Sequence, residues 1–197
     1  IYDSTGMTIH RYWNVEANEH EDSFEQTVEK VRYLVTDSIK RQLVSDVPLC
    51  TFLSGGLDSS LISSVTNEEF RKRGEVLHTF SVDYVDNEKY FQKSKFQPNS
   101  DPHFIRTMAD YLGGEHHWII IDTDELVEAL YAAVDARDLP GMADVDSSML
   151  LLCRAIKQEG TVALSGECAD EIVGGYPWYR DKTIRLTDGF PWAQSTA

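Results

Sequence analysis

Basic residues are scarce in this sequence. Lys and Arg together number 18, against 33 Asp and Glu, so the formal net charge is −15 over 197 residues. A chain this acidic is repelled by nucleic-acid backbones and by anionic membrane surfaces, so neither is expected as a partner. Any site for a phosphate group must therefore be compensated locally, by a cation or by backbone donors.

Cysteines and long apolar runs are also few. The sequence has three cysteines, Cys50, Cys153 and Cys168, without Cys-x-x-Cys spacing. An odd number without a framework favours free thiols in a reducing compartment, and we expect a cytoplasmic protein. No apolar run approaches the about 20 residues that a membrane-spanning helix needs. With 42% hydrophobic residues, the chain is long enough for one globular domain with a good core.

The strongest signal is a glycine turn. The apolar run Leu49–Leu53 ends in Ser54-Gly55-Gly56, and a helical pattern follows directly. This order predicts a strand, a tight turn and a helix N-terminus whose free N–H groups favour an anion, usually phosphate. The turn lacks the lysine of a Walker loop and the glycine spacing of a dinucleotide fingerprint. Residues Ser54 to Ser60 instead resemble the pyrophosphate loop of ATP pyrophosphatases; the alternative is an ordinary glycine-rich turn.

Strand and helix patterns alternate along the rest of the chain. This alternation predicts an α/β fold, a Rossmann-like parallel twisted sheet with helices on both faces, and a ligand site at the carboxyl ends of the strands. The stretch 85–101 has no periodicity and is expected to be a solvated insertion or disordered. The predicted strands are Val47–Leu53, Val76–Tyr84, His116–Asp122 and Thr161–Leu164, and the predicted helices are Asp22–Leu43, Leu57–Arg73, Pro102–Leu112, Thr123–Arg137 and Ser147–Gln158.

Apolar spacing also predicts which helix faces are buried. In the first predicted helix, apolar residues from Phe24 to Leu43 recur every three or four positions and should form one buried face. In the second, Leu57, Leu61, Ile62 and Val65 are expected to face inward. In the last, apolar residues from Met149 to Ile156 predict thorough burial.

A second glycine turn carries carboxylates. Ser165-Gly166 follows the fourth strand, and Glu167, Asp170 and Glu171 would share one face of a helix that began there. The helix dipole alone explains part of this clustering. Beside a phosphate site, however, the like charges repel unless a cation intervenes, and Mg²⁺ binds one or two carboxylates together with phosphate oxygens. Asp58 and Asp170 are therefore the predicted magnesium ligands.

Neighbouring histidines give a weaker signal. His116 and His117 are adjacent in a predicted strand, so their side chains point to opposite faces and cannot both bind one ion. We expect a structural role for this pair.

At this point a family resemblance becomes specific. Both glycine motifs, over about residues 28 to 180, resemble the synthetase domain of class B, glutamine-hydrolysing asparagine synthetases. The segments that support the resemblance are Ser45–Pro48, Phe80–Val82, Glu115–His117, the Gly174-Gly175-Tyr176 stretch, and Pro140, Asp144 and Ser147.

The resemblance implies a fold and a reaction. The fold would be that of adenine nucleotide alpha hydrolases, and the substrates aspartate, ATP and ammonia. They would give asparagine, AMP and pyrophosphate through β-aspartyl-AMP, with Mg²⁺ as cofactor. Glu167 would be the general base towards ammonia. Pyrophosphate would be held by Ser54, Gly55, Gly56, Asp58, Ser59 and Ser60, adenosine by Leu53, Val82 and Gly166 through backbone atoms, and Ser165 would line the nucleotide site.

The resemblance also implies a domain organisation. Residues 1–21 would be the tail of a missing N-terminal glutaminase domain, and residues 22–197 a synthetase domain truncated at its C-terminal end. A lysine that the family supplies from a later segment would be absent, so this chain alone is expected to be weak or inactive. The resemblance is compatible with a homodimer.

Three readings remain open at this stage. Glu167 favours an external amine as nucleophile, and hence an asparagine synthetase, over a β-lactam synthetase with its tyrosine-centred base. The second reading is another ATP pyrophosphatase reaction, either β-lactam formation or thiolation. Enzymes of thiolation usually have a catalytic cysteine pair or a basic RNA-binding face, and the sequence shows neither. The third reading is a nucleotide-binding module that has lost catalysis, against which Asp58, Glu167 and Asp170 argue.

Overall fold

The structure, a computed structural model, describes residues 1–93, 99–186 and 188–189. Residues 94–98 of the predicted insertion, residue 187 and residues 190–197 lie outside the described part. The chain divides into two compact units, Ile1–Val35 and Thr36–Ala197. The predicted domain boundary after residue 21 stays a prediction.

The first unit contains a short antiparallel hairpin that the sequence did not predict. Strands β1 (Tyr2–Asp3) and β2 (Gly6–Met7) are paired, and the Asp3 carboxylate accepts hydrogen bonds from Thr5. Helix α1 (Phe24–Gln42) begins in this unit, and Ser23 and Gln26 form reciprocal side chain–backbone hydrogen bonds at its start. The predicted apolar face is buried only towards its C-terminal end, at Ile39 and at Leu43 just beyond α1, whereas Phe24 is 78% exposed.

The second unit is built around a four-stranded parallel sheet in the order β5-β4-β3-β6. Its strands are β3 (Leu49–Phe52), β4 (His78–Tyr84), β5 (Glu115–Ile121) and β6 (Val162–Leu164). Its helices are α2 (Leu57–Arg73), α3 (Asn87–Tyr90), α4 (Pro102–Leu112), α5 (Thr123–Arg137), α6 (Ala143–Ile156), α7 (Ala169–Val173), α8 (Pro177–Arg180) and α9 (Lys182–Arg185).

The strand order places a switch point between β3 and β6. From β3 the chain adds β4 and β5 on one side, and then returns to add β6 on the other side of β3. Loops leaving two such strands part in opposite directions, which opens a crevice at their carboxyl ends. The predicted parallel sheet is confirmed, and both glycine turns lie at this crevice.

Helices cover both faces of the sheet, as predicted. Alternate strand residues point to opposite faces. Leu53 packs with Ile105 and Leu112 of α4 on one face, whereas Cys50 packs with Leu152 and Ile156 of α6 on the other.

Helix α2 has the predicted limits but not the predicted buried face. Leu57 is 82% exposed and Leu61 is 44% exposed. Apart from Phe70, the buried residues are small or polar. Ser63 Oγ lies 2.8 Å from Thr51 Oγ1 and Asn67 Nδ2 donates to the Leu112 carbonyl oxygen, whereas the buried Thr66 Oγ1 has no hydrogen-bond partner in the described part of the chain. Small side chains allow the helix to lie close to β3. The buried set is Ser59, Ser63, Thr66, Asn67 and Phe70.

One helix start differs from the prediction. Helix α6 begins at Ala143, four residues before the predicted Ser147, and Met149 is 42% exposed rather than buried. Helix α5 has the predicted limits, and Asp122 and Glu125 form a complete capping box at its start. None of the described helices combines the length and apolar character that crossing a membrane would require.

Candidate active site

The two glycine turns lie against each other. A Cβ atom on Gly166 would lie 3.0 Å from Asp58 Cβ and 3.2 Å from the Ser59 backbone nitrogen. The second turn therefore touches the first turn of α2, and only a residue without a side chain fits there without displacement. This contact joins the two predicted motifs into one site.

A cavity of about 590 Å³ opens where the turns meet. Its volume lies in the range of small-ligand sites. Gly55 and Ser60 are not on its walls, but the other predicted site residues are: Leu53, Ser54, Gly56, Asp58, Ser59, Val82, Ser165, Gly166, Glu167 and Asp170.

The first turn is organised by its own serines. Ser59 Oγ lies 2.9 Å from Ser54 Oγ, accepts a hydrogen bond from the Ser54 backbone N–H, and donates to the Gly56 carbonyl oxygen. Ser59 is buried, whereas Ser54 and Gly56 are exposed to the cavity. The turn is therefore held in shape before any ligand binds, with the first N–H groups of α2 at its end.

Gly55 has a structural reason to be glycine. Its φ angle is +77°, and a Cβ atom there would lie 2.9 Å from both the Ile105 backbone nitrogen and Phe104 Cβ. Helix α4 thus presses its first turn against the back of the glycine turn. Gly55 shapes the turn from behind rather than from the cavity side.

Strand β4 supports the turn from its other side. The Leu53 backbone N–H donates to the Phe80 carbonyl oxygen, and the Ser81 hydroxyl donates to the Leu53 carbonyl oxygen. Leu53 is buried just after the carboxyl end of β3, and both Leu53 and Val82 line the cavity.

The second turn is looser than predicted. Helix α7 begins only at Ala169, and Cys168 before it has a left-handed φ of +69°. Glu167 therefore lies in the connecting loop, not on one helix face with Asp170 and Glu171. The hydrogen bond from the Glu167 backbone N–H to Ser165 Oγ, at 3.1 Å, shapes this loop. Glu167 is exposed, on the cavity wall.

The cavity is strongly acidic. Within the described part of the chain, no Lys, Arg or His side chain lines it. Burial, and next the charge of Asp170, raise the pKa of Asp58 above its ordinary value. A carboxylate pair under mutual repulsion fits a divalent cation with oxygen ligands, so the residues present fit the predicted Mg²⁺ site. The six carboxylates on the wall are Asp58, Asp83, Asp101, Glu167, Asp170 and Glu171.

Some wall residues were not predicted as site residues. The Tyr176 hydroxyl donates to Glu171 Oε1 at 2.9 Å, and this hydrogen bond, with the nearby carboxylates, raises the pKa of Tyr176 to about 12. The Gly-Gly-Tyr motif was the available signal for this residue. Asp83 accepts a hydrogen bond from Asn87, and Tyr84 lies beside them. The sequence offered little indication that Asp83 and Tyr84 line the cavity, because that prediction requires knowing that β4 ends at the same crevice.

The fold and the site define a class: an α/β domain with a glycine turn before a helix N-terminus and an acidic cavity at the switch point of a parallel sheet. Comparison with protein families identifies one family within this class. The model described as asparagine synthase matches residues 30–196. This chain belongs to the asparagine synthase family.

Curated relatives agree with this assignment. The chain is 55% identical to "Asparagine synthetase [glutamine-hydrolyzing] 3" of Bacillus subtilis over 99% of its own length and 32% of that protein. It is 33% identical to asparagine synthetase B of Escherichia coli over 76% of its length and 27% of the relative. The chain thus spans about a third of these relatives. Among solved structures, an NAD⁺ synthetase from Burkholderia pseudomallei aligns with a TM-score of 0.40 at 15% identity, over 78% of this chain and 57% of that one.

Proposed function

We propose that the cavity joins aspartate and ATP into β-aspartyl-AMP, and that ammonia then converts this intermediate into asparagine. The observation that carries the proposal is the contact between Gly166 and Asp58–Ser59, which places both family motifs on one cavity. The relatives bear the name asparagine synthetase. Nothing in the site favours the β-lactam, thiolation or silent-module readings.

In this proposal the first turn holds the pyrophosphate part of ATP. The Gly56 N–H, which donates to Ser54 Oγ at 3.4 Å in the structure, would turn to the phosphate together with the exposed Ser54 hydroxyl, while Ser59 fixes the shape of the turn. Gly55 and Ser60 do not line the cavity, so in this proposal they act by shaping the backbone of the turn. The nucleoside part of ATP would be bordered by Leu53, Val82, Ser165 and Gly166.

Asp58 and Asp170 would hold Mg²⁺. When bound, the ion neutralises charge on the phosphate oxygens and on the carboxylate pair. Outside the Mg²⁺ site, the chain offers mainly backbone and hydroxyl donors, because cations are absent from the described cavity wall. A cation from beyond this chain would complete the charge balance, so this chain alone should bind ATP weakly.

The chemistry takes place in two displacements. An oxygen of the aspartate side-chain carboxylate bonds to the α-phosphorus, and the bond to the β-phosphate oxygen breaks, releasing pyrophosphate. The ammonia nitrogen then bonds to the acyl carbon, and AMP leaves. Glu167 accepts a proton from the attacking nitrogen, a role that its exposed position on the wall allows.

The whole protein would include more than this chain. We infer that an N-terminal glutaminase domain, of which residues 1–21 are the tail, supplies ammonia from glutamine. The synthetase domain would continue beyond residue 197. The protein would work in the cytoplasm, and a homodimer is the oligomeric state to test there.

The test is pyrophosphate release by the complete protein that carries this chain, with ATP, ammonia and a panel of amino acids. We expect release to depend on aspartate. Glu167→Gln should lower asparagine formation by about 100-fold or more, because it removes the general base. It should leave aspartate-dependent ATP cleavage measurable, since adenylate formation does not need that base.

Other outcomes would contradict the proposal. Release without amino acid preference would favour another ATP pyrophosphatase reaction. Equal loss of both half-reactions in Glu167→Gln, with Mg-ATP affinity also lost, would make Glu167 a binding residue. Micromolar Mg-ATP affinity of this chain alone would contradict the missing-cation argument.

A further inference from the structure

A second cluster of polar side chains lies at the opposite end of the sheet from the cavity. Strands β4 and β5 begin at His78 and Glu115, which face each other in the parallel register. His117 lies two residues further along β5, on the same face. The cavity residue Val82 is four residues along β4 from His78, about 13 Å away at the usual rise per residue. The cluster is therefore separate from the proposed active site.

The cluster brings three potential ligand atoms together. His78 Nδ1 lies 3.0 Å from His117 Nε2 and 3.7 Å from Glu115 Oε2, and all three atoms lie within 4.8 Å of one another. Two nitrogens bound to one tetrahedral zinc ion lie about 3.3 Å apart, given bonds of about 2.0–2.1 Å. Small side-chain movements would therefore bring these atoms to ligand distances.

We propose that His78, Glu115 and His117 form a binding site for a divalent transition-metal ion of the zinc class. Two imidazoles and one carboxylate suit Zn²⁺ better than Mg²⁺ or Ca²⁺, which prefer oxygen ligands only. Without metal, the two imidazoles share one hydrogen-bonding proton. Binding requires the donor ring to carry that proton on its other nitrogen, a tautomer change that leaves the charge unchanged.

The surroundings fix the imidazoles and leave an entry path. The His117 ring stacks on Phe80 with centroids 4.5 Å apart, and Phe80 is buried in the core beside α6. The Glu115 side chain is 63% exposed and the His78 side chain 29% exposed. The stacked imidazole of His117, the half-buried imidazole of His78 and the exposed carboxylate of Glu115 can close around an ion from solvent, with water completing the coordination. The bound ion would link the first residues of β4 and β5.

His116 is excluded from the site. Its side chain points to the other face of the sheet, where Nδ1 lies 2.7 Å from Thr79 Oγ1. Burial, and next the charge of His117, lower the pKa of His116 to about 4, so it is a neutral structural residue. The expectation that His116 and His117 do not share an ion is thus consistent with the geometry, while the proposed partners of His117 come from across the strand pair.

The test is Zn²⁺ titration of the full chain by calorimetry in a millimolar excess of Mg²⁺, which saturates sites made of oxygen ligands. We expect one Zn²⁺ site that Mg²⁺ does not displace. Glu115→Gln should weaken it by about 10-fold or more, and His78→Asn should remove it. His103→Asn, which changes an exposed histidine outside the cluster, should leave the affinity unchanged.

Two further measurements make the result decisive. In the unmodified chain, Zn²⁺ should shift the imidazole NMR signals of His78 and His117 and leave those of His103 and His116 in place, a readout that needs no variant. Co²⁺ should give an absorption spectrum without thiolate charge transfer. Affinity unchanged in Glu115→Gln and His78→Asn variants that remain folded, or a thiolate band from the cysteines, would overturn the proposal.

Discussion

The two turns that meet at the cavity are built in different ways. The first turn leads into α2, a 17-residue helix, and Ser54, Ser59 and Gly56 close it with internal hydrogen bonds. The second leads into α7, a five-residue helix. One serine hydrogen bond and one backbone hydrogen bond, from the Ala169 N–H to the Gly166 carbonyl oxygen, shape the loop that carries Glu167. The first turn is held by several side-chain hydrogen bonds, whereas the second carries exposed carboxylates that repel one another.

This difference assigns separate tasks to the two turns. A turn that is shaped before binding loses little entropy when phosphate arrives. In the proposed mechanism the second turn carries Asp170, one of the two Mg²⁺ ligands, and the base Glu167, and a less constrained turn can adjust as the reaction proceeds. Variants should therefore act mainly on folding in the first turn and mainly on activity in the second.

The largest expected effect is at the back of the first turn. Gly55→Ala should destabilise the protein by about 2–4 kcal/mol, because it combines a left-handed φ with contacts at 2.9 Å to α4. Gly74→Ala is the matched control, since its φ is +74° but no atom lies within 4 Å of the added Cβ. It should cost about 1 kcal/mol. Urea unfolding gives both values, and equal costs would contradict close packing behind Gly55.

A smaller loss of stability, with a specific loss of activity, is expected where the turns touch. Gly166→Ala should cost about 1 kcal/mol of stability and lower pyrophosphate release by the complete protein about 10-fold or more, because it pushes the second turn away from Asp58. Gly160→Ala crowds Cys50 Sγ at a similar 3.2 Å, away from the cavity. It should cost similar stability and leave the rate unchanged. If Gly160→Ala lowered the rate of pyrophosphate release as much as Gly166→Ala, the lower rate would result from reduced stability and not from the displaced turn.

The smallest effect concerns charge. Because Asp58 has a raised pKa in the folded state, the folded protein binds a proton more tightly than the unfolded chain. Its contribution to stability is present below the ordinary value of 3.8 and is lost as the pH rises through the raised pKa. Asp170→Asn should make the loss of stability with rising pH smaller. It should not abolish that loss, since burial contributes more than Asp170 to the raised pKa of Asp58. Urea unfolding between about pH 3.5 and 6 in EDTA measures the slope. An unchanged slope would mean that the two carboxylates do not interact.

Much of the fold follows from sequence patterns. The alternation of strands and helices predicted the parallel sheet, and the limits of α2 and α4 were correct because glycines end both helices in left-handed conformations at Gly74 and Gly113. The buried face of α2 could not be predicted from apolar spacing. Ser63, for example, is buried because its hydroxyl meets Thr51 on another element.

The site was predictable in composition but not in arrangement. The sequence indicated that the glycine turns at Ser54 and Ser165 belong to one pocket, since both follow strands of one sheet. It could not show that Glu167 precedes α7, because the left-handed Cys168 delays the helix start. The His78–Glu115 pairing depends on strand register, and no local pattern specifies a register between strands 37 residues apart.

The central claim is that the two turns form one site where the aspartate side chain attacks the α-phosphorus of ATP. The most direct measurement uses aspartate labelled with oxygen-18 in its side-chain carboxylate, with ATP, ammonia and the complete protein, followed by mass spectrometry of the nucleotide product. The account predicts AMP that carries one labelled oxygen. Unlabelled AMP, or ADP as the product, would contradict it.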